Sequence, residues 1–266
     1  MSELRAGTGR LEGKVALVTG STSGIGAGIA RELAHEGGRV VITGRTEAAG
    51  HEVIDTLARE GVPREDLSFH PADLSDTEQC RALITHAREV FGGLDILVNN
   101  AGDFTRGSLE DTTVELWDWH MAVNVRAPFV LTQAAVPLMR ERGGGSIVNI
   151  GSVNAYVGDP RLLSYSVSKG ALMTFTKNVA QQVNKYRIRV NQINVGWTST
   201  EGEHKVQVKE TGREDWLDRA VESRPFGRLL LPRDIAKAAL YFASDDSALV
   251  TGSVLDLEQY PVGSRG

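Results

Sequence analysis

The sequence predicts an α/β fold in which a parallel sheet is covered by helices on both faces. Three observations predict it. β-branched runs alternate with helical patterns from Lys14 onward, a glycine-rich turn separates the first such run from the first helix, and the 266-residue chain is 41% hydrophobic, ample for a large core.

The expected strands, in order, are Lys14–Thr19, Arg39–Thr43, Leu67–His70, Leu94–Val98, the run Ser146–Ile150, and Ile188–Ile193. Between them Ser75-x-x-Glu78 and Thr112-x-x-Glu115 read as capping boxes, and Pro232 opens a helix that continues to about Ala243. Residues 1–10 form a polar tail expected to be flexible, and 11–266 a single domain without linker or repeat. The one long irregular stretch, Trp197 to Pro225, reads as a lid or binding loop over the functional site.

Composition excludes several classes of function. Net charge is −5 with Lys and Arg scattered rather than striped, so no nucleic acid or anionic membrane partner is expected. The single cysteine, Cys80, cannot form an internal disulfide, and no apolar run approaches the roughly 20 residues of a membrane helix. The N-terminus lacks the apolar core of a signal peptide, which places the protein in the cytoplasm.

The first strand empties into Thr19-Gly20-Ser21-Thr22-Ser23-Gly24-Ile25-Gly26. Glycines there admit a phosphate to the amides at a helix N-terminus, with Gly20, Ser23, Gly24, Ile25 and Gly26 as the candidate cradle; a tight strand-to-helix turn wants the same glycines. At the end of the second strand, where the adenosine ribose of a dinucleotide would lie, stand Gly44 and Arg45 rather than a carboxylate. They argue for NADP with Arg45 on the 2′-phosphate, unless Arg45 is a solvated charge flanking a helix. Asp73 and Leu74 follow the third strand and either meet the adenine or lead a turn into Ser75. After the fourth, Asn99-Asn100-Ala101-Gly102 suits a strand end held open beside a cofactor.

Ser152 follows the fifth strand, where the chain empties into a loop, and Tyr165-x-x-x-Lys169 begins a helix. Residues four apart share a helix face, so phenol and ammonium can enter one pocket with the serine hydroxyl. Moving a tyrosine pKa from about 10 to about 7 takes on the order of 4 kcal/mol, and a neighbouring cation is the direct source. The alternative is an amphipathic helix with a surface Tyr and Lys.

Taken in order, T-G-x-x-x-G-I-G at 19–26, N-N-A-G at 99–102, Asn124, Ser152 and Tyr165-x-x-x-Lys169 resemble the short-chain dehydrogenase/reductase family, from about Leu11 to Asp256. The resemblance implies a single doubly wound Rossmann-type domain with a seven-stranded parallel sheet, in a dimer or tetramer. It implies a tetrad of Asn124, Ser152, Tyr165 and Lys169, with Asn124 holding a water that links Lys169 to solvent. Asn100, Ala101 and Gly102, together with Thr198 and Thr200, become cofactor contacts. The reaction implied is hydride transfer between NADP (or NAD) and a secondary alcohol or carbonyl, with Tyr165 as acid and base.

Two departures from the family pattern stand out. Val195 replaces a proline after the sixth strand, which predicts a less rigid turn. After a last strand at Thr251–Asp256, the ending 257–263 is atypical and is expected to reach a neighbouring subunit. The lid carries Glu201, Glu203, His204, Lys205, Lys209, Glu210, Arg213, Glu214 and Asp215, which suits a sugar, polyol or hydroxy or keto acid, the alternative being charges that simply face water. Ligand spacing for a metal is absent at Glu201-Glu203-His204, and no histidine is expected to pair with a serine as in hydrolases. Trp117 and Trp119 are expected in the core or a subunit interface. A dinucleotide sensor that does not turn over is the reading from a different class.

Overall fold

The computed structural model describes residues 9–262. Its strands are β1 (Val15–Val18), β2 (Arg39–Gly44), β3 (Leu67–Pro71), β4 (Ile96–Asn99), β5 (Gly145–Ser152), β6 (Ile188–Val195) and β7 (Val254–Leu257). They form one parallel seven-stranded sheet in the order β3-β2-β1-β4-β5-β6-β7. Successive side chains alternate between faces, and both faces are covered, so β1 is buried at every position. Ala16 and Val18 pack under α1 (Gly24–His35), α2 (Glu47–Arg59) and α9 (Pro232–Ala243). Val15 and Leu17 pack under α3 (Thr77–Phe91), α5 (Ala127–Glu141) and α6 (Leu163–Val183). Cys80 lies in that second layer, where burial pushes its thiol up to about 11.

Strand order reverses between β1 and β4, so their C-terminal ends open a crevice at a switch point. Thr19 shapes it. Its hydroxyl accepts from the amides of Asn100 (2.9 Å) and Ala101 (3.0 Å) and donates to the Val98 carbonyl (3.3 Å), fixing the N-N-A-G turn to the end of β1.

Several expectations shift in detail. α3 is capped by Asp76, whose carboxylate accepts from the Glu78 and Gln79 amides, and α4 (Val114–Met121) by Thr113; Ser75 and Thr112 each lie one residue outside. Both boxes had a competing cap in the adjacent position. Arg10, placed in the flexible tail, pairs with Glu36 (2.7 Å) and Asp246 (3.4 Å), while residues 1–8 lie outside the described residues. Val195 is the last residue of β6, registered between Ser152 and Leu257, so the chain stays in the sheet where the family pattern has a proline.

The segment read as irregular contains two helices, α7 (Glu201–Thr211) and α8 (Trp216–Glu222). α7 carries charge on every face, so no apolar stripe marks it in the sequence. The chain after β7 turns back onto this lid. Gln259 accepts from the Phe226 amide (3.1 Å) and donates to the Arg228 carbonyl (2.6 Å), and the Tyr260 hydroxyl donates to the Ser223 carbonyl. As far as Tyr260, the expected inter-subunit tail docks on its own chain.

Candidate active site

The C-terminal ends of β1, β2, β4, β5 and β6 surround a cleft of about 1020 Å³, at the upper end of small-molecule sites and roomy enough for a dinucleotide plus a small substrate. Gly20, Ser23, Gly24, Ile25, Gly26, Arg45, Asp73, Leu74, Asn100, Ala101, Gly102, Ser152, Tyr165, Lys169, Thr198 and Thr200 all line it. Asn124 lies one layer behind, 1% exposed.

The phosphate end is built by close approach. Gly20 has φ +62°, and a Cβ on Gly26 would stand 2.2 Å from the Gly20 carbonyl oxygen and 2.4 Å from Asn100 Nδ2. Ser23 caps α1 with no side-chain bond to the helix, leaving its hydroxyl and the first amides for an anion. At the adenosine end a Cβ on Gly44 would meet Thr22 at 2.6 Å, so a carboxylate cannot stand there without moving Thr22. Arg45 is exposed beside it. Asp73 Oδ1 accepts from the Ser75 amide (2.9 Å), so the turn reading holds for this oxygen, while the residue also lines the cleft. Thr200 caps α7, accepting from the Glu203 amide (3.1 Å), and its Cγ2 lies 3.8 Å from where a Gly24 Cβ would stand. The lid therefore begins against the phosphate cradle. The Thr198 hydroxyl donates to the Gly196 carbonyl (3.0 Å).

At the far end Tyr165, Ser152 and Lys169 meet. Ser152 hydrogen-bonds the Tyr165 phenol, and Lys169 Nζ lies 5.6 Å from the centre of the Tyr165 ring. Burial raises the phenol's pKa above its ordinary value, the Ser152 bond opposes this, and the Glu203 carboxylate adds to the rise. The expected lowering of the phenol by the Lys169 cation is not seen in the protein without its cofactor, where burial sets the direction. Lys169, 5% exposed, donates to the Ile150 carbonyl (2.9 Å), and burial lowers its pKa to about 8.

That depression has a consequence for stability. A lysine whose folded pKa is lowered from 10.5 to about 8 leaves the unfolded chain holding more protons between those values, so stability rises with pH across that window and the penalty is full below it. The penalty is about 3 kcal/mol, against about 1 kcal/mol for the lost bond to Ile150. Lys169→Met therefore raises Tm by roughly 5 °C at pH 7, and the gain shrinks above about pH 8. Thermal melts at several pH values check this; a lower Tm at pH 7 would show that burial does not strain the ammonium.

Asn124 sits in a π-helical turn, Ala122–Arg126, between α4 and α5. Single π-turns of this kind frequently mark functional sites, and this one gave no signal in the hydrophobic pattern. Asn124 Oδ1 accepts from the Asp103 amide (2.8 Å), and Nδ2 donates to the Asp103 carbonyl (2.9 Å) and Ser168 Oγ (3.0 Å).

Sequence reasoning missed much of the substrate end. Trp119, expected in the core or an interface, lines the cleft, as do Asp103, Arg106, Asp159, Arg161 and Gln207. Arg106 pairs with Glu210 (2.5 Å) and Glu203 (3.7 Å), and Arg161 with Asp159 (3.5 Å) and Glu210 (3.6 Å), joining the core to α7. Trp197, itself on the cleft wall, donates from Nε1 to Glu203 (2.8 Å) and packs on Trp216 at 5.9 Å between ring centres. The lid residues Glu201, Glu203 and His204 have partners within the protein: Glu201 with Lys205 (2.6 Å), Glu203 with Trp197, and His204 Nδ1 as acceptor from Trp216 Nε1 (2.9 Å). Two histidines do pair with serines: His86 with Ser68 (2.8 Å), away from the cleft, and His120, which lies between Asp103 and Ser164.

Known proteins are similar to this chain over nearly its whole length. Residues 20–258 match the family model described as enoyl-(acyl carrier protein) reductase. A dehydrogenase/reductase SDR family member 4 of Mus musculus is 38% identical over 92% of this chain and 86% of its own. An NADP-dependent (R)-specific alcohol dehydrogenase of Lentilactobacillus kefiri is 36% identical over 92% of this chain and 95% of its own. Among solved structures, a variant actinorhodin polyketide ketoreductase with NADPH superposes with a TM-score of 0.86 at 32% identity, covering 92% of this chain and 96% of that one. The fold and cleft define a dinucleotide-dependent oxidoreductase of Rossmann type. The chain belongs to the short-chain dehydrogenase/reductase family.

Proposed function

We propose that the protein is an NADP-preferring oxidoreductase that interconverts a secondary alcohol and a carbonyl on a polar substrate, with Tyr165 as acid and base. The observation that carries this reading is the convergence of Ser152, Tyr165 and Lys169 on the cleft whose other end is the glycine cradle. The residues fit a nicotinamide dinucleotide: Gly20 and Gly26 leave room that any Cβ would fill, Ser23 has an uncommitted hydroxyl, and Arg45 faces the adenosine end. When bound, NADP supplies or accepts the hydride. Ser152 orients the substrate oxygen, Tyr165 gives or takes its proton, and Lys169 holds the cofactor ribose and favours the phenolate. Asn124, behind Lys169, holds the water of a proton relay.

The preference for NADP is supported by charge. Six cations line the cleft, and among the described residues Arg45 and Lys169 have no acidic partner, whereas Arg106, Arg161, Lys205 and Arg224 each lie within 4.0 Å of a carboxylate. An unpaired guanidinium at the adenosine end suits a 2′-phosphate. The relative from Lentilactobacillus kefiri is named as NADP-dependent, which agrees. NAD remains the runner-up cofactor.

The same pairing narrows the substrate. Sugars, polyols and hydroxy or keto acids all suit a polar wall, but an acid needs a free cation: among the described residues Arg106, Arg161 and Arg224 are paired with carboxylates, and Lys169, the one cation at the substrate end without an acidic partner, is given to the Ile150 carbonyl and the cofactor ribose. A neutral hydroxylated compound can donate to Glu203, Glu210 and Asp159, accept from Gln207, and lay its C–H faces on Trp119 and Trp197. The expected result with NADPH is faster turnover of dihydroxyacetone and erythrulose than of pyruvate and 2-ketogluconate. Faster turnover of the acids would reverse this choice, and turnover of neither set, nor of glycerol, sorbitol or lactate with NADP, would count against the proposed function. A homo-oligomer in the cytoplasm completes the reading. Phe129 of α5 and Val167 of α6 are exposed and available to a second copy, which sedimentation would detect as a dimer or tetramer.

A further inference from the structure

Beneath Tyr165 hydrogen bonds run from Asp103 to Ser164, the residue before the tyrosine, and to the tyrosine's own backbone carbonyl. His120 of α4, 0% exposed, places Nε2 3.0 Å from Asp103 Oδ1 and Nδ1 2.7 Å from Ser164 Oγ. An ionised carboxylate only accepts, so Nε2 carries the proton, and in the neutral ring Nδ1 accepts from the Ser164 hydroxyl. Ser164 precedes Tyr165 in the first turn of α6. On the other side Ser168 Oγ donates to the Tyr165 carbonyl (2.6 Å) and accepts from Asn124 Nδ2 (3.0 Å), and Asn124 Oδ1 accepts from the Asp103 amide (2.8 Å). Two routes thus run from Asp103 to Tyr165, one through His120 and Ser164, the other through Asn124 and Ser168. The His120 ring also meets the Tyr165 ring edge-on, 6.4 Å between centres at 70°.

Asp103 is a hub. Burial favours its neutral form, but bonds from His120, Thr105 and Trp119 prevail and hold the carboxyl well below the usual carboxylate range, so it stays ionised. Ser164, His120 and Asp103 have the composition of a hydrolase triad, yet Ser164 is 2% exposed and off the cleft wall, so no acyl group can reach it. The arrangement serves its neighbour instead.

We propose that Asp103 and His120 are positioning residues that fix the first turn of α6, and with it the Tyr165 phenol, against Ser152 and the substrate. This rests on Tyr165 being the acid and base. A misplacement of about 1 Å at such a site costs on the order of 10²-fold in rate without touching the cofactor pocket. His120→Phe fills the volume and removes both bonds, His120→Gln keeps a donor for Asp103, and Ser164→Ala removes one bond at little steric cost.

The experiment measures kcat and KM with the fastest carbonyl compound of the panel above, together with NADPH affinity by tryptophan fluorescence, for these variants and Tyr165→Phe. The expected result is a fall in kcat of about 100-fold for His120→Phe and about 10-fold for Ser164→Ala, partial recovery in His120→Gln, and NADPH affinity unchanged throughout. If His120→Phe does not fold, His120→Gln and Ser164→Ala decide. Wild-type kcat in the folded variants overturns the inference, as does a loss confined to NADPH affinity. Full activity in Tyr165→Phe overturns the acid-base reading instead, whatever His120 does. Without any substrate, proton NMR should show a downfield imidazole N–H signal in the wild type that is lost in His120→Gln; its absence from the wild type contradicts the Asp103–His120 bond.

Discussion

Tyr165→Phe lowers kcat by about 10³-fold and leaves NADPH affinity unchanged. The magnitude is that of a positioned general acid or base, and the selectivity follows from geometry: phenylalanine keeps the ring where the cleft needs it and deletes only the oxygen bonded to Ser152. The direction of the pKa matters too. Burial first, then Glu203, raise the phenol's pKa, so at neutral pH Tyr165 is protonated and ready to donate to a carbonyl oxygen. In reverse it must first ionise, and alcohol oxidation therefore gains rate as pH rises while carbonyl reduction does not. Initial rates in both directions from pH 6 to 10, on wild type and variant, give the result. A variant that keeps wild-type kcat would remove Tyr165 from the chemistry and revive the reading of the protein as a cofactor sensor.

Arg45→Glu weakens NADPH binding on the order of 100-fold, and NADH binding not at all. A charge-assisted hydrogen bond to a phosphate contributes about 1.5–3 kcal/mol, and the new carboxylate adds repulsion. Arg45 has no competing acid among the described residues, so its whole charge is available, and it is exposed, so the substitution leaves the fold alone. NADH gains little in the variant, because a carboxylate at 45 is not one at 44, where Thr22 blocks any Cβ. Equal loss for both cofactors would mean that Arg45 reads the shared part of the dinucleotide, and no loss would make it a surface charge.

The centre of the sheet was legible because β1, β4, β5 and β6 are buried on both faces and read as apolar, β-branched runs. The cofactor half of the cleft was legible for a related reason: Gly20, Gly26 and Asn100 lie in short local motifs whose spacing is itself the geometry. The substrate half was not. Arg106 and Glu210 are 104 positions apart and meet only because α7 folds over the cleft, and α7 has no apolar stripe to betray it. His120 looks in sequence like any histidine between Trp119 and Met121, and the bond that gives it a role comes from Ser164, 44 residues later. The π-turn at Asn124 was invisible because an extra residue in one turn leaves the apolar pattern on either side intact. The two capping boxes missed by one residue for a simpler cause, since Asp76 and Thr113 are as able to cap as their neighbours.

Trp119 and Trp197 on the cleft wall supply the most direct test of the central claim. Their fluorescence, followed while the purified wild-type protein is titrated in parallel with NADPH and with NADH, reports binding of either without knowledge of the substrate. Saturable quenching by both is expected, with NADPH affinity at least about tenfold the higher, a difference of about 1.4 kcal/mol. Equal or tighter binding of NADH would contradict the assignment of Arg45, and failure of both to bind would contradict the reading of the cleft as a dinucleotide site.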